Sequence, residues 1–160
     1  MMHRTGPRRL LAATAALSLA LVGCTAAGTS PTPDGGAGAT TVAVTLTEWA
    51  VAPASNSAPA GEVNFEITND GPVDIHEFVV IKTDLDPAEL PVDENGAVTE
   101  DGEGIEEVMG EIEDIPLGET HELTVTLEAG SYVLLCNIWD ADEGEAHYTM
   151  GMRTPFTVND

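Results

Sequence analysis

The segment SYVLLCNIWDADEGEAHYTMGM, residues 131–152, is the part of the chain that decides the fold. It opens on Ser131–Ile138, where every second residue from the tyrosine onward points to one face of a predicted β-strand and Cys136 shares that face. An acidic loop follows, and His147 and Met152 come after it. The segment therefore predicts a strand that ends beside a loop carrying side chains able to bind a metal.

Short strand-like runs recur along the rest of the chain, and turn sequences rich in glycine, proline and asparagine separate them. No long helical pattern interrupts these runs. This arrangement predicts an all-β fold, specifically a β-sandwich. The predicted strands are Val42–Trp49, Glu62–Asn69, His76–Lys82, Thr120–Leu127, Ser131–Ile138 and Thr154–Val158.

The acidic stretch Asp84–Asp114 is the exception to this pattern, and we expect an exposed excursion from the sandwich there. Its carboxylates lack the spacing of a calcium-binding loop, because Pro91 stands where such a loop needs an acid. Near its end, Glu106–Ile115 fits either an added edge strand or a short helix. The pattern does not decide between the two.

The first 24 residues look like a bacterial export signal. Three arginines precede the uncharged run Leu10–Val22, which at 13 residues is too short for an ordinary membrane span. The sequence Leu21-Val22-Gly23-Cys24 resembles the lipobox of bacterial lipoproteins, which implies that residues 1–23 are a removed signal peptide and that Cys24 carries the lipid. A secretory peptide without lipid is the alternative, and Arg8-Arg9 leaves open whether export uses the general or the twin-arginine route.

Composition divides the mature chain into a flexible linker at 24–39 and one domain at 40–160. The full sequence of 160 residues holds 28 acidic and 5 basic residues, and residues 1–23 contain three of the basic ones, so the mature charge is 2 − 28 = −26. This charge excludes a nucleic-acid surface and predicts attraction to a basic partner. A lipidated Cys24 also leaves Cys136 as the one thiol of the mature chain, so no intrachain disulfide is expected.

Four side chains with metal-binding atoms are predicted to meet at one rim of the sandwich. His76 begins one predicted strand and Cys136 lies near the end of another, so antiparallel pairing brings them to the same edge. His147 and Met152 lie in the segment that leaves the Cys136 strand. Two imidazoles, a thiolate and a thioether form the donor set that suits a blue copper centre. Met150 competes with Met152 as the source of the thioether.

Each of these residues also has an alternative interpretation. Cys136 fits a small buried hydrophobic residue, and His76 and His147 fit an ordinary strand-start and an ordinary loop histidine. Zinc is able to use a cysteine and two histidines, although the methionine would then contribute little. His121 lies among polar strand residues, and we expect a structural role for it.

The sequence resembles the cupredoxins, in particular small lipoprotein or secreted members related to plastocyanin, sulfocyanin and auracyanin. The segments that carry the resemblance are Asp74–Val80, Ser131–Ile138 and His147–Met152. It implies a Greek-key β-sandwich that holds one type 1 copper ion and transfers single electrons. The family spacing also favours Met152 over Met150 as the fourth ligand.

Two features depart from the pattern of that family. Ten residues separate Cys136 from His147, in place of the usual short turn, and four of them are acidic. The extra loop length costs only about 0.8 kcal/mol of closure entropy, and carboxylates close to the metal would favour Cu(II). Glu77 stands where many members have an asparagine that braces the cysteine loop, and Asn137 is the predicted substitute.

These observations predict a membrane-tethered electron carrier outside the cytoplasm, which exchanges electrons with a redox partner protein, such as a basic cytochrome. The resemblance implies that the electrons pass through the downstream histidine, His147. Copper binding for delivery or sequestration is the alternative, because the same ligands would serve it. An enzyme of this superfamily needs a further copper centre, and the mature chain offers only His121 beyond the predicted pair, so no enzymatic activity is expected. A metal-free sandwich domain is the remaining interpretation.

Overall fold

The computed structural model describes residues 38–160. The predicted signal peptide 1–23, the lipid attachment site Cys24 and the predicted linker up to residue 37 lie outside the described residues. In the part of the chain that the structure describes, no helix is long and apolar enough to cross a membrane.

Strands account for most of the described chain, and the one helix among these residues is a single turn. This confirms the predicted all-β class. In chain order the elements are β1 (Thr40–Thr47), β2 (Ala50–Pro53), β3 (Ser57–Pro59), β4 (Gly61–Asn69), β5 (His76–Thr83), β6 (Ile105–Ile115), β7 (Thr120–Leu127), β8 (Gly130–Leu135), β9 (Trp139–Asp140), β10 (Glu145–Ala146), α1 (His147–Met150) and β11 (Arg153–Asn159).

Two sheets pack face to face as a Greek-key β-sandwich. One sheet has the strand order β2-β1-β4-β7 and the other the order β3-β11-β8-β5-β6. Neighbouring strands are antiparallel except for the pairs β1/β4 and β3/β11, which are parallel because the chain crosses between the sheets. Strands β9 and β10 form a separate small hairpin.

The core between the sheets follows the alternation read from the sequence. Strand β4, for example, buries every second residue from Val63 to Asn69. Phe65 lies at the centre of this core, with ring centroids 5.3 Å from Phe78 and 5.5 Å from Phe156. Buried Cys136 and Met152 belong to the same core. The candidate metal ligands therefore lie at one end of a tightly packed interior.

The acidic stretch differs from its prediction as an exposed excursion. Residues 105–115 form an edge strand of the five-stranded sheet, paired with β5, which settles the strand-or-helix alternative. Leu90 and Val98 are buried against the outer face of β5 and β8. The rest of residues 84–104 is exposed or half-buried, as predicted, and the burial of Leu90 and Val98 was missed because isolated apolar residues form no periodic pattern. The outer sheet face is thus covered, and β5 is buried on both sides.

Candidate metal centre

The side chains of His76, Cys136 and His147 converge on one point at the end of the core. A nitrogen of each ring and the Cys136 sulfur all lie within 4.8 Å of one another. The Nδ1 atom of His147 lies 3.3 Å from Nδ1 of His76 and 3.4 Å from Sγ of Cys136. The exposed fraction is 0% for His76 and Cys136 and 2% for His147. The three donor groups therefore face one another in a space shielded from water.

Three different elements position these donors. His76 is the first residue of β5, where it pairs with Ile115 of the edge strand β6. Cys136 follows directly after β8, and its main-chain N–H donates to the carbonyl of Met152, 3.1 Å away. His147 begins α1 after the β9–β10 hairpin, and its N–H donates to the carbonyl of Ile138 at 2.9 Å. The long loop that separates the cysteine from the second histidine is thus a folded hairpin.

Met152, rather than Met150, lies in the core with the cysteine. Met152 is fully buried, and its N–H donates to the carbonyl of His147 at 3.1 Å, whereas 42% of Met150 is exposed. Gly151 makes the turn between them at a φ of 129°, and a Cβ there would come within 3.1 Å of the Trp49 carbonyl. The backbone therefore directs the second methionine inward, which agrees with the preference for Met152.

Burial keeps the donor groups uncharged in the metal-free protein. It raises the pKa of the Cys136 thiol to about 12, mainly because a thiolate would lose its solvation. It lowers the pKa of His76, with a further contribution from His147, and burial likewise lowers the pKa of His147. Both imidazoles are thus free of the extra proton that would prevent ligation, and a bound metal ion would displace the thiol proton.

Two further contacts hold the cysteine and its surroundings in place. The main-chain N–H of Glu77 lies 3.2 Å from Sγ of Cys136. The Asn137 side chain accepts from the N–H of Val98 at 2.6 Å and donates to the carbonyl of the same residue at 3.0 Å and to the carboxylate of Glu100 at 3.1 Å. Asn137 therefore ties the end of β8 to the acidic segment, as its predicted bracing role requires.

A carboxylate that the sequence analysis did not single out lies behind His76. The Oε1 atom of Glu48 is 3.8 Å from Nε2 of His76, and only 11% of the Glu48 side chain is exposed. Burial acts to raise the pKa of Glu48, but hydrogen bonds from main-chain N–H groups, including those of Asp74 and Val73, outweigh it and hold the pKa below its ordinary value. No spacing rule could have found this residue, because it is 28 positions from His76 and lies in the turn between β1 and β2 of the other sheet.

Three carboxylates form a second cluster beside the cysteine. Oxygen atoms of Glu77, Glu100 and Glu111 lie within 4.8 Å of one another, on β5, the acidic segment and β6. Burial first, and then repulsion from Glu100 and Glu111, raises the pKa of Glu77 to about 7. Glu77 therefore keeps its proton to a higher pH than an exposed glutamate does.

A cleft opens over the second histidine. It has a volume of about 280 Å³, and His147 lines it together with apolar Ile75, Ile138 and Trp139 and acidic Asp74, Asp140 and Asp142. The Asp140 carboxylate also accepts N–H groups of the hairpin turn, from Asp142 at 2.7 Å and Glu143 at 3.1 Å. On the other side of the ring, Trp49 makes an edge contact with His147, with centroids 5.0 Å apart. The acidic loop thus places its charge around the one ligand that borders the surface.

This donor set fits one copper ion of the type 1 class. Two imidazole nitrogens and a cysteine sulfur converge, and a buried methionine lies beside them in the same core. The neutral imidazoles and the desolvated thiol suit a soft ion that binds the thiolate and releases its proton. His121 takes no part, because it lies on β7 with its Nε2 3.2 Å from the Glu119 carboxylate.

No protein-family model matches the sequence, and no curated protein matches it. Solved structures of auracyanins have the same fold. The reduced auracyanin of the photosynthetic bacterium Roseiflexus castenholzii is 22% identical over 77% of this chain and 100% of its own, with a TM-score of 0.54. Auracyanin A of Chloroflexus aurantiacus, described as a blue copper protein, is 22% identical over 76% of this chain and 100% of its own, with a TM-score of 0.51. Auracyanin B is 20% identical over 76% and 90%, with a TM-score of 0.52.

Proposed function

We propose that this chain, which has the cupredoxin fold, is a type 1 copper protein that carries single electrons between redox partners outside the cytoplasm. The observation that carries the proposal is the convergence of His76, Cys136 and His147 at the buried end of the core, with Met152 packed beside them. Bound copper supplies a one-electron Cu(II)/Cu(I) couple. The protein supplies two neutral nitrogens, a sulfur and a space closed to water.

The rigidity of the site favours electron transfer over copper delivery. A carrier needs ligands that move little between the two oxidation states, and a delivery protein needs ligands that release the ion readily. His147 is 2% exposed and is held by the β9–β10 hairpin, and Cys136 and Met152 are fully buried and joined through their main chains. Such a site should retain copper through reduction and oxidation.

Copper loading tests this function directly. The metal-free protein is titrated with Cu(II), then reduced and reoxidised, and finally dialysed against a copper chelator. We expect one ion per chain, intense visible absorption that reduction removes and oxidation restores, and retention of the copper during dialysis. A protein that gives up Cu(I) to the chelator within one cycle would be a delivery protein, and one without the visible band would not be a type 1 copper protein.

We propose the cleft over His147 as the surface through which electrons pass. His147 is the ligand that lines this opening, and apolar side chains there would allow close contact with a partner. Asp74, Asp140 and Asp142 at the cleft and the mature charge of −26 favour a basic redox protein, such as a basic cytochrome.

Electron transfer with a cationic cytochrome should therefore be fast at low salt and slow as salt is added. We expect the second-order rate constant to fall by at least about tenfold from low to physiological ionic strength, because screening removes the attraction. Asp142→Asn should lower the rate constant at low salt. Glu62→Gln should not, because Glu62 lies near the start of β4, whereas the end of that strand, Asn69, bonds to Asp74 at the cleft. Stopped-flow measurements over a salt series check this, and a rate independent of ionic strength would argue against a basic partner.

We also propose that the mature chain is tethered to the outer side of the cytoplasmic membrane through lipid on Cys24. The support is the sequence Leu21-Val22-Gly23-Cys24 at the end of a short apolar run. We propose no enzymatic activity, since His121 is the one histidine of residues 38–160 outside the site and a second copper centre would need more.

A further inference from the structure

The two ring nitrogens of His76 face two different neighbours. Nδ1 lies 3.3 Å from Nδ1 of His147, on the side where the donor atoms converge. Nε2 lies on the opposite side of the ring, 3.8 Å from Oε1 of Glu48. Among the described residues, Nε2 of His76 and Oε2 of Glu48 are both buried and have no hydrogen-bond partner. Each of these two neighbouring side chains thus has one buried polar atom without a hydrogen-bond partner.

Gly71, Val73 and Asp74 surround the Glu48 carboxylate, and we call this part of the turn the cradle. The Oε1 atom of Glu48 accepts the main-chain N–H groups of Asp74 at 2.8 Å and Val73 at 3.3 Å. A Cβ at Gly71 would lie 2.7 Å from Oε1 and 2.9 Å from Oε2, so only glycine leaves room for this carboxylate. Buried Asn69 holds the same turn, since its side chain accepts the Gly71 N–H at 2.9 Å and donates to the Asp74 carbonyl at 2.8 Å.

Only 11% of the Glu48 side chain is exposed, and removing a carboxylate from water is costly unless hydrogen bonds compensate. The cradle satisfies Oε1 and aims the group at His76. When an imidazole binds a metal through Nδ1, its proton is on Nε2, and that N–H needs an acceptor. A side-chain movement of less than about 1 Å brings Glu48 and Nε2 to hydrogen-bonding distance.

We propose that Glu48 is a positioning residue that accepts the Nε2–H hydrogen bond of His76, fixes the tautomer that leaves Nδ1 free, and places a negative charge that favours Cu(II) over Cu(I). The effect on copper rests on the proposed function, whereas the effect on the tautomer does not. The charge acts through His76, so it should lower the reduction potential more than a carboxylate that touches neither ring.

Two substitutions separate the hydrogen bond from the charge. Glu48→Gln keeps a side-chain acceptor and removes the charge, whereas Glu48→Ala removes both. Glu145→Gln is the matched control, because the Glu145 carboxylate lies close enough to influence His147 but touches neither histidine ring. The apo proteins are compared by nitrogen-15 NMR of the histidine rings, and the copper-loaded proteins by voltammetry and copper-affinity titration.

In the apo wild type and in Glu48→Gln, we expect His76 to carry its proton on Nε2, and in Glu48→Ala we expect a mixture of tautomers. Copper affinity should fall about 10- to 100-fold in Glu48→Ala. It should change by less than about fivefold in Glu145→Gln. The reduction potential should rise in Glu48→Gln by more than in the control.

A proton on Nδ1 of His76 in the apo wild type would overturn the proposal, and so would equal shifts of potential in Glu48→Gln and Glu145→Gln. The tautomer measurement needs neither copper nor a variant that folds. If the wild type shows the Nε2–H tautomer but copper gives no visible band, the proposed function fails while the positioning of His76 by Glu48 stands.

Discussion

The Cys136→Ser variant is expected to lose the intense visible absorption of the copper-loaded protein and to bind copper at least about 100-fold more weakly. The absorption arises from charge transfer between the thiolate and copper, and a serine hydroxyl provides no such transition. The affinity falls because an alkoxide is far harder to form than a thiolate. Loss of an outer contact alone costs 10- to 100-fold in metal affinity, so loss of a ligand should cost more.

The fold should survive this substitution, with a moderate loss of stability. Cys136 is fully buried in the apolar core, so a hydroxyl there would cost about 1–3 kcal/mol unless it finds a partner. The Glu77 N–H and His147 ring lie within reach of the present sulfur and offer such partners. Urea unfolding of the apo proteins measures this loss separately from copper binding.

Cys24→Ser is the matched control, because it alters the other cysteine of the sequence. We expect it to leave the colour unchanged and to release the protein from membranes, since lipid attachment requires the thiol. Cys136→Ser should therefore change the absorption but not the membrane attachment, and Cys24→Ser should change the membrane attachment but not the absorption. Full colour in Cys136→Ser would refute thiolate ligation, and a membrane-bound Cys24→Ser protein would refute the lipid anchor.

The ligands could be predicted because each follows from a simple geometric rule. His76 begins β5 and Cys136 directly follows β8, and antiparallel pairing of β5 with β8 brings such positions to one edge. His147 and Met152 lie in the segment that joins β8 to its other neighbour, β11. The family spacing already favoured Met152 over Met150, and the turn at Gly151 gives the physical reason, because it directs the second methionine inward.

What sequence could not predict depends on contacts between distant segments. Strands β2 and β3 are only four and three residues long, too short for a periodic pattern, and they exist because β1 and β11 offer them edges. Glu48 was missed for a similar reason. Its surroundings are formed by the turn around Gly71, which lies 23 positions further along the chain.

The β9–β10 hairpin explains how the site accommodates its long loop. A flexible loop of ten residues would leave the second histidine exposed and the metal exchangeable. The extra residues form a small structured unit. Trp139 pairs with Ala146, and the Asp140 side chain accepts a hydrogen bond from the main chain of the hairpin turn. The hairpin returns the chain to within 2.9 Å of Ile138, so His147 emerges next to the cysteine strand, as it would after a short turn. The longer loop therefore leaves His147 as firmly positioned as a short turn would.

The Glu77→Gln variant of the apo protein should be more stable than the wild type at neutral pH and equally stable near pH 4.5. Folding raises the pKa of Glu77 from 4.5 to about 7, chiefly through burial and then through repulsion from Glu100 and Glu111. Between these two values the folded chain binds a proton that the unfolded chain has released. Stability contributed by this group is therefore present at low pH and is lost as pH rises through about 7.

The size of the effect follows from the same shift. A difference of 7 − 4.5 pKa units would correspond to about 3 kcal/mol, and partial exposure of Glu77 with solvent screening reduces this to about 1–2 kcal/mol. The buried histidines act in the opposite direction. Their lowered pKa values mean that the unfolded chain binds more protons below its histidine pKa, so their contribution to stability rises with pH. Both proteins share that contribution, and the difference between them isolates Glu77.

Urea midpoints measured at several values between pH 4.5 and 8, at constant ionic strength, give this difference. Glu62→Gln is the control, because it removes an exposed carboxylate from β4 on the opposite sheet, and its difference from the wild type should not follow the same pH course. Added salt should reduce the gain in Glu77→Gln, since it screens the repulsion among the three carboxylates but leaves the desolvation of Glu77 unchanged. A gain that is constant from pH 4.5 to 8 would show that folding does not raise the pKa of Glu77, and the cluster with Glu100 and Glu111 would then have to be more open to water than its geometry implies.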